Sequence, residues 1–305
     1  MLKQKKAKRT VAKVATPTTK KVTRPAPASK PDRRIVPATG KQLATKGNRD
    51  WESLAGAGGE RVGSQDLAIP RLAILQALSP QLNKQDARYI DGAEAGDICD
   101  TVTGVLFDGA GGIIVVPVRY RRAHIEWISR KQGGGFVADH DDNAAILEKC
   151  EKDADGNNTL PNGHEIKIIG EYFVFVVDET TGENTPYVLS MGGTQLKKSR
   201  QWNTMLKRRL VTGRGGNKLN PPWWYNSFKL TTAPEQNEKG NWFGWVIEQG
   251  EDTLNLPDGA NIFEGATNFH EQVRTGRVTA RPPTEEEVPT GGDRGDHSTD
   301  DETPY

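Results

Sequence analysis

Residues 111–128 read GGIIVVPVRYRRAHIEWI, and the fold turns on how this run is read. Five β-branched residues from Ile113 to Val118, opened by a glycine pair, favour an extended conformation over a helix. Pro117 cannot donate to a ladder from mid-strand, so it marks a bend or bulge. Side chains alternate across a strand. Arg119 and Arg121 therefore share one face, opposite Tyr120 and Arg122. The preceding DICDTVTGVLFDG (97–109) reads as the partner strand of a hairpin, joined through the glycines at 109–112.

Most of the chain around it also has strand periodicity. EYFVFVVDETTGENTPYVLSM (171–191) is a second hairpin, turning at Thr181-Gly182, and WWYNSFKLTT (223–232) with GNWFGWVIEQ (240–249) is a third. Helices are expected at 67–78, where Ile69, Leu72, Leu75 and Leu78 share a face and Pro70 suits a first turn, and at 261–273. A third runs from an N-cap at Thr194 to Leu210, with Leu196, Trp202, Leu206 and Leu210 at helical intervals. Residues 129–170 have little pattern and read as an insertion. The expected fold is mainly β with a few helices, an oligonucleotide-binding (OB)-like barrel with large insertions, flanked by disordered tails.

Net charge is only +1, yet the charge is segregated. Residues 1–49 carry 15 Lys/Arg against Asp32 alone, and residues 280–305 carry eight acids against Arg281 and Arg294. Both ends lack the apolar side chains that offset backbone entropy, so they read as a disordered basic arm and a disordered acidic tail. A single globular domain is left at 50–279. The arm is either a solubilising tail or a nucleic-acid contact. No apolar run reaches the 18 residues of a membrane span, and the N-terminus lacks the apolar core of a secretory signal. Two distant cysteines, Cys99 and Cys150, fit a reducing compartment.

Enzymatic signatures fail on inspection. TGRGGNK (212–218) lacks the spacing by which a phosphate loop presents its backbone N–H groups. DADGNNTLPNGHE (153–165) begins like a calcium loop but has Asn158 where the turn needs Gly, and Glu165 falls one residue late. The Asp139, His140, Asp141, Asp142 cluster has no second group of matching spacing, so an acidic surface turn is the simpler reading. No catalytic residue, cofactor or metal is expected.

One signal remains. LSMGGTQLKKSRQWNTMLKRRL (189–210) concentrates Lys197, Lys198, Arg200, Lys207, Arg208 and Arg209 around Trp202, with no acid among them. Single-stranded nucleic acid needs cations that track phosphates and rings on which bases rest. The expected surface combines Arg119, Arg121 and Arg122 with Lys197, Lys198, Arg200, Lys207 and Arg208 for phosphates, and Trp202, Trp223 and Tyr225 for bases. Phe243 and Trp245 are expected in the core. A solvated amphipathic helix remains the simpler alternative for the helix alone.

The strings IPRLAILQALSPQL, YIDGAEAGDICDTVTG, VPVRYRRAHIEW, GGGFVADH and VLSMGGTQLKKSRQWN resemble early-gene proteins of tailed bacteriophages, associated with replication and recombination modules. The acidic end, with Asp300, Asp301, Glu302 and Tyr305, is similar to the tails of phage single-stranded-DNA-binding proteins. That resemblance implies an OB fold, host-cytoplasmic single-stranded DNA as ligand, and tail contacts with a phage polymerase, helicase–primase or recombinase. The long basic arm and the 129–170 insertion depart from that class. A virion-associated or host-takeover interaction protein with a DNA-binding arm is the alternative.

Overall fold

The computed structural model describes residues 57–58, 69–129, 132–154, 156–237, 240–284 and 287. The basic arm, and the acidic end with Asp300, Asp301, Glu302 and Tyr305, lie outside the described residues. In chain order the elements are β1 (Arg71–Ile74), β2 (Ile98–Asp100), β3 (Leu106–Phe107), β4 (Ile113–Trp127), β5 (Phe136–Asp139), β6 (Glu151–Lys152), β7 (Asn158–Thr159), β8 (Glu165–Val177) and β9 (Asn184–Gly192). Then follow α1 (Leu196–Arg208), β10 (Val211–Thr212), β11 (Lys218–Leu219), β12 (Asn226–Asn237), β13 (Gly240–Asp252) and α2 (Gly259–Arg274).

The fold is mainly β. One sheet runs in the order β13-β12-β4-β8-β9-β1-β2-β3, antiparallel except where β1 lies parallel to β9. It curls into a half-barrel and does not close by a ladder as an OB barrel does, because β13 and β3 do not pair. Side chains bridge the seam instead. The Gln76 amide acts as a one-residue strand: the Phe243 N–H donates to its Oε1 (2.8 Å), and its Nε2 donates to the Phe243 carbonyl (3.0 Å). The next residue of β13 whose backbone points to the open edge is satisfied likewise, the Trp245 N–H by Gln195 Oε1 (3.0 Å) and its carbonyl by Lys198 Nζ. These groups cover an edge that would otherwise template another strand.

Two helices fill the two faces. Trp202 and Leu206 of α1 join Val115, Tyr172, Val174, Phe228, Leu230 and Trp245 in the core on one side. Ile262, Ala266 and Phe269 of α2 pack on Val116, Val118, Phe173 and Phe175 on the other. A bulge decides which cations face which helix. Val118 is an extra residue between the Pro117–Val174 and Arg119–Phe173 pairs, so the parity of β4 flips there. Before it, Ile113 and Val115 face α1. After it, Tyr120 and Arg122 do, while Arg119 and Arg121 turn toward α2.

Several expectations need correction. The helix expected at 67–78 is not formed over its described residues, 69–78: Arg71 to Ile74 form a strand buried at all four positions. A continuous apolar run fits both periods, and only burial on both faces distinguishes them. Strand 97–109 does not pair with 111–128. β2 turns back on β3 through the Asp100–Gly104 turn, while β4 takes β8 and β12 as its partners. The third hairpin begins with a 3-10 turn at Trp223–Tyr225. Thr194 is not the N-cap, a position held by Gln195. Among the described residues no helix is long and apolar enough to cross a membrane.

The chain end beyond α2 straps the sheet. Buried Arg71 donates to Ser190 Oγ (2.7 Å) and to the Arg281 carbonyl (2.6 Å), and the Arg281 guanidinium grips Glu287. Burial alone pushes the Glu287 carboxyl upward, but Arg281 and the Thr284 N–H outweigh it and hold it below the ordinary 4.5. A depressed carboxyl binds fewer protons folded than unfolded, so its contribution is present above about pH 4.5 and is lost below it. Hydrogen exchange of residues 278–284 is expected to accelerate as pH falls below that point, after correction for intrinsic rates. Glu287→Gln should remove the dependence.

Candidate nucleic-acid interface

The 51 residues from 184 to 234 hold nine Lys/Arg and no Asp or Glu. Six of the nine lie in α1 and the loop that follows, and the structure sorts them by helical position. Trp202, Leu206 and Ser199 form the buried stripe of α1, placing Lys197, Arg200, Lys207 and Arg208 on the opposite, exposed face. None of these four has an ion-pair partner among the described residues. Lys207 and Arg208 also sit in the last turn, where the helix dipole favours cations.

Lys198 is different. It points along the flank of the helix, where Glu235 binds it and the Trp245 carbonyl accepts from it (2.5 Å). Arg209 is likewise held by Asp252 (2.7 Å). Lys198 is thus a strut of the fold and leaves the expected phosphate-binding set.

The chain leaves α1 through a capped end. Asn220 Nδ2 donates to the carbonyls of Leu206 (3.0 Å), Lys207 (3.2 Å) and Arg209 (2.8 Å), satisfying groups a helix end orphans. This anchors the β10–β11 hairpin against the helix end. TGRGGNK is the turn of that hairpin, and it presents exposed Arg214 and Lys218 beside Leu210 and Leu219, themselves 55% and 56% exposed.

The arginines of β4 split between the two faces of the sheet. Arg122 is exposed on the α1 side, directly across from Gly170. Ser199 of α1 packs so closely on Gly170 that an added Cβ there would lie 2.6 Å from its Oγ. Arg122 therefore joins the helix surface. Arg119 lies on the α2 side, within electrostatic reach of Glu271. Arg121 is consumed by carboxylates: its Nε donates to Glu171 (2.7 Å) and its terminal nitrogens to Asp139 (2.7 Å) and Asp141 (3.3 Å). Burial works against that charge, but Glu171 and Asp139 outweigh it and hold the guanidinium above its ordinary value. Arg119 and Arg121 thus fall outside the surface expected from sequence, because the bulge turned them away. Arg121 also occupies the place a cation would take in the Asp139–Asp142 turn. His140 turns instead to Glu126 (2.7 Å), a carboxylate it shares with His164 (2.6 Å).

The rings divide as well. Trp202 is fully buried, stacked on Tyr172 at 4.3 Å and edge-on to Phe228 at 5.5 Å, so it cannot carry a base on its face. Trp223 is half-buried beside Tyr120, at 6.3 Å, on the α1 side of the sheet. Trp224 faces the other way onto Phe263 and His270 of α2. Tyr225 is half-buried, and its hydrogen bond to Asp252, with some help from burial, pushes its hydroxyl upward. Trp245 is core as expected, while Phe243 stays partly exposed.

One face therefore gathers Arg122, the exposed cations of α1, the basic hairpin and the half-buried Trp223. Residues 39–279 match the protein family described as Pam3 phage gp34-like protein. The chain belongs to that phage family. The phage setting expected from the sequence stands on this match, and the family description names no activity. No curated protein and no solved structure matches the chain.

Proposed function

We propose that this phage protein binds single-stranded DNA, as a non-enzymatic component of a replication or recombination module. The observation that carries the reading is the unpaired row Lys197, Arg200, Lys207 and Arg208, continued by Arg214 and Lys218, in a segment without a single carboxylate. Structural cations in this chain are paired, as Arg71, Arg121, Lys198 and Arg209 are. A row left unpaired, with a half-exposed indole beside it, matches what a flexible polyanion with unstacked bases requires.

Anisotropy titrations against salt test this directly. Six phosphate contacts predict a slope of log K against log salt of about −4 for a single strand. Reversing four charges (Lys197→Glu, Arg200→Glu, Lys207→Glu, Arg208→Glu) should flatten the slope to about −1 and weaken binding at least about 100-fold. These side chains are exposed, so the thermal midpoint should barely move. Absence of binding at low salt would overturn the proposal. Equal affinity for duplex would shift the reading to the virion-associated or host-takeover alternative.

A further inference from the structure

A half-open recess of about 230 Å³ lies between α1 and β13, with Gln201, Trp202 and Met205 on the helix side and Trp245, Val246 and Ile247 on the strand side. An apolar cavity of about 150 Å³ accommodates benzene. This recess is large enough for one planar heterocycle and smaller than the roughly 300–1,000 Å³ of drug-sized sites.

Three observations define what would fill it. First, the cation on its wall, Lys198, is already neutralised by Glu235, so the recess has no free charge for a phosphate. Its walls suit a neutral, flat, largely apolar group. Second, the recess is lined mainly by apolar groups, Met205 and Ile247 beside the indoles of Trp202 and Trp245, while exposed Gln201 supplies an amide at the mouth. Third, the mouth adjoins the basic face. Exposed Gln201 is one helical turn from Lys197 and two turns from Arg208, and those two cations are about 16 Å apart along the axis. A chain tracking from one to the other passes the mouth of the recess.

We infer that the recess between α1 and β13 seats a nucleobase of the bound strand, its ring held between Met205 and Ile247. The Gln201 amide meets the polar edge of the base. The assignment rests on the proposed single-strand binding and adds a base seat to the rings of Trp223 and Tyr225.

The test compares an oligodeoxynucleotide with an equal-length oligomer abasic throughout, on the wild-type full chain and on two variants. Ile247→Phe, on the face of β13 that meets α1, fills the recess, and Gln201→Trp covers its mouth from an exposed position that leaves the core untouched. Wild type should bind the base-bearing strand about tenfold more tightly than the abasic one. Both variants should lose most of that preference, leaving only the share that stacking on Trp223 supplies, while keeping the wild-type salt slope and thermal midpoint. If wild type binds both oligomers equally, the base seat is overturned while the phosphate-tracking face stands. If the base preference survives both variants undiminished, the base is seated elsewhere and the inference falls. If wild type binds neither, the proposed function fails and takes this inference with it.

Discussion

Trp202→Ala is expected to destabilise the protein by about 3–5 kcal/mol, the usual cost of truncating a buried tryptophan. For a domain of this size that lowers the thermal midpoint by about 6–20 °C. The indole is enclosed: one face lies on Tyr172, an edge meets Phe228, and Leu206 and Trp245 belong to the same cluster. Its partner Tyr172 donates or accepts at Ser199 and Asn203 of the same helix, so losing the ring also loosens how α1 sits on β8. Trp223→Ala should behave oppositely. That ring is half-buried at the rim, so the larger loss is expected in binding, about 1–3 kcal/mol for a base that stacks on it. Urea melts and titrations on the two variants separate the roles. A Trp202→Ala protein with an unchanged midpoint and weakened binding would overturn the core assignment.

What the sequence showed of this arrangement follows from which signals are local. The α1 periodicity was legible because Trp202 and Leu206 recur against charged neighbours, and the structure places the helix within two residues of that reading. The β8–β9 hairpin was legible because an apolar run, a turn at Gly182 and a second run are all close in sequence. Pro117 announced its bulge. Alternation set Arg119 and Arg121 apart from Tyr120 and Arg122, but the parity flip at Val118 that turns Arg119 and Arg121 toward α2 was not legible.

Which face carries the cations was not legible, because it depends on the position of α1, which is set by long-range packing of Trp202 and Ser199 on Tyr172 and Gly170 of β8. The pairing of Lys198 with Glu235 and of Arg121 with Glu171 spans 37 and 50 residues, and charge patterning does not reach that far. The misreading of Arg71–Ile74 has the same origin. Its neighbour β9 is more than a hundred residues away, and only that contact shows why an arginine lies inside an apolar run.

Glu171→Ala should cost about 3–5 kcal/mol, the penalty of stranding a buried charge. Glu171 and Arg71 are both fully buried. Arg71 Nη1 approaches Glu171 Oε1 to 2.7 Å as an ion pair while aligning its hydrogen bond with Ser190. With Glu171 gone, the nearest remaining carboxylate is Glu287 at 3.9 Å, on the strap after α2. Arg121 suffers less, because Asp139 and Asp141 still hold it at a partly exposed site. The double variant Arg71→Met/Glu171→Leu tests the cause. If the penalty comes from an unpaired buried cation, removing both charges should recover most of the loss, since apolar replacements of a buried pair are often neutral or stabilising. If the double variant is no more stable than Glu171→Ala, the loss instead reflects packing at β1 and the strap. Either result is read from urea denaturation midpoints at constant slope. The charges of this network are committed to one another across β1, β4, β8 and the strap, whereas Lys197, Arg200, Lys207 and Arg208 on the α1 face have no ion-pair partner among the described residues.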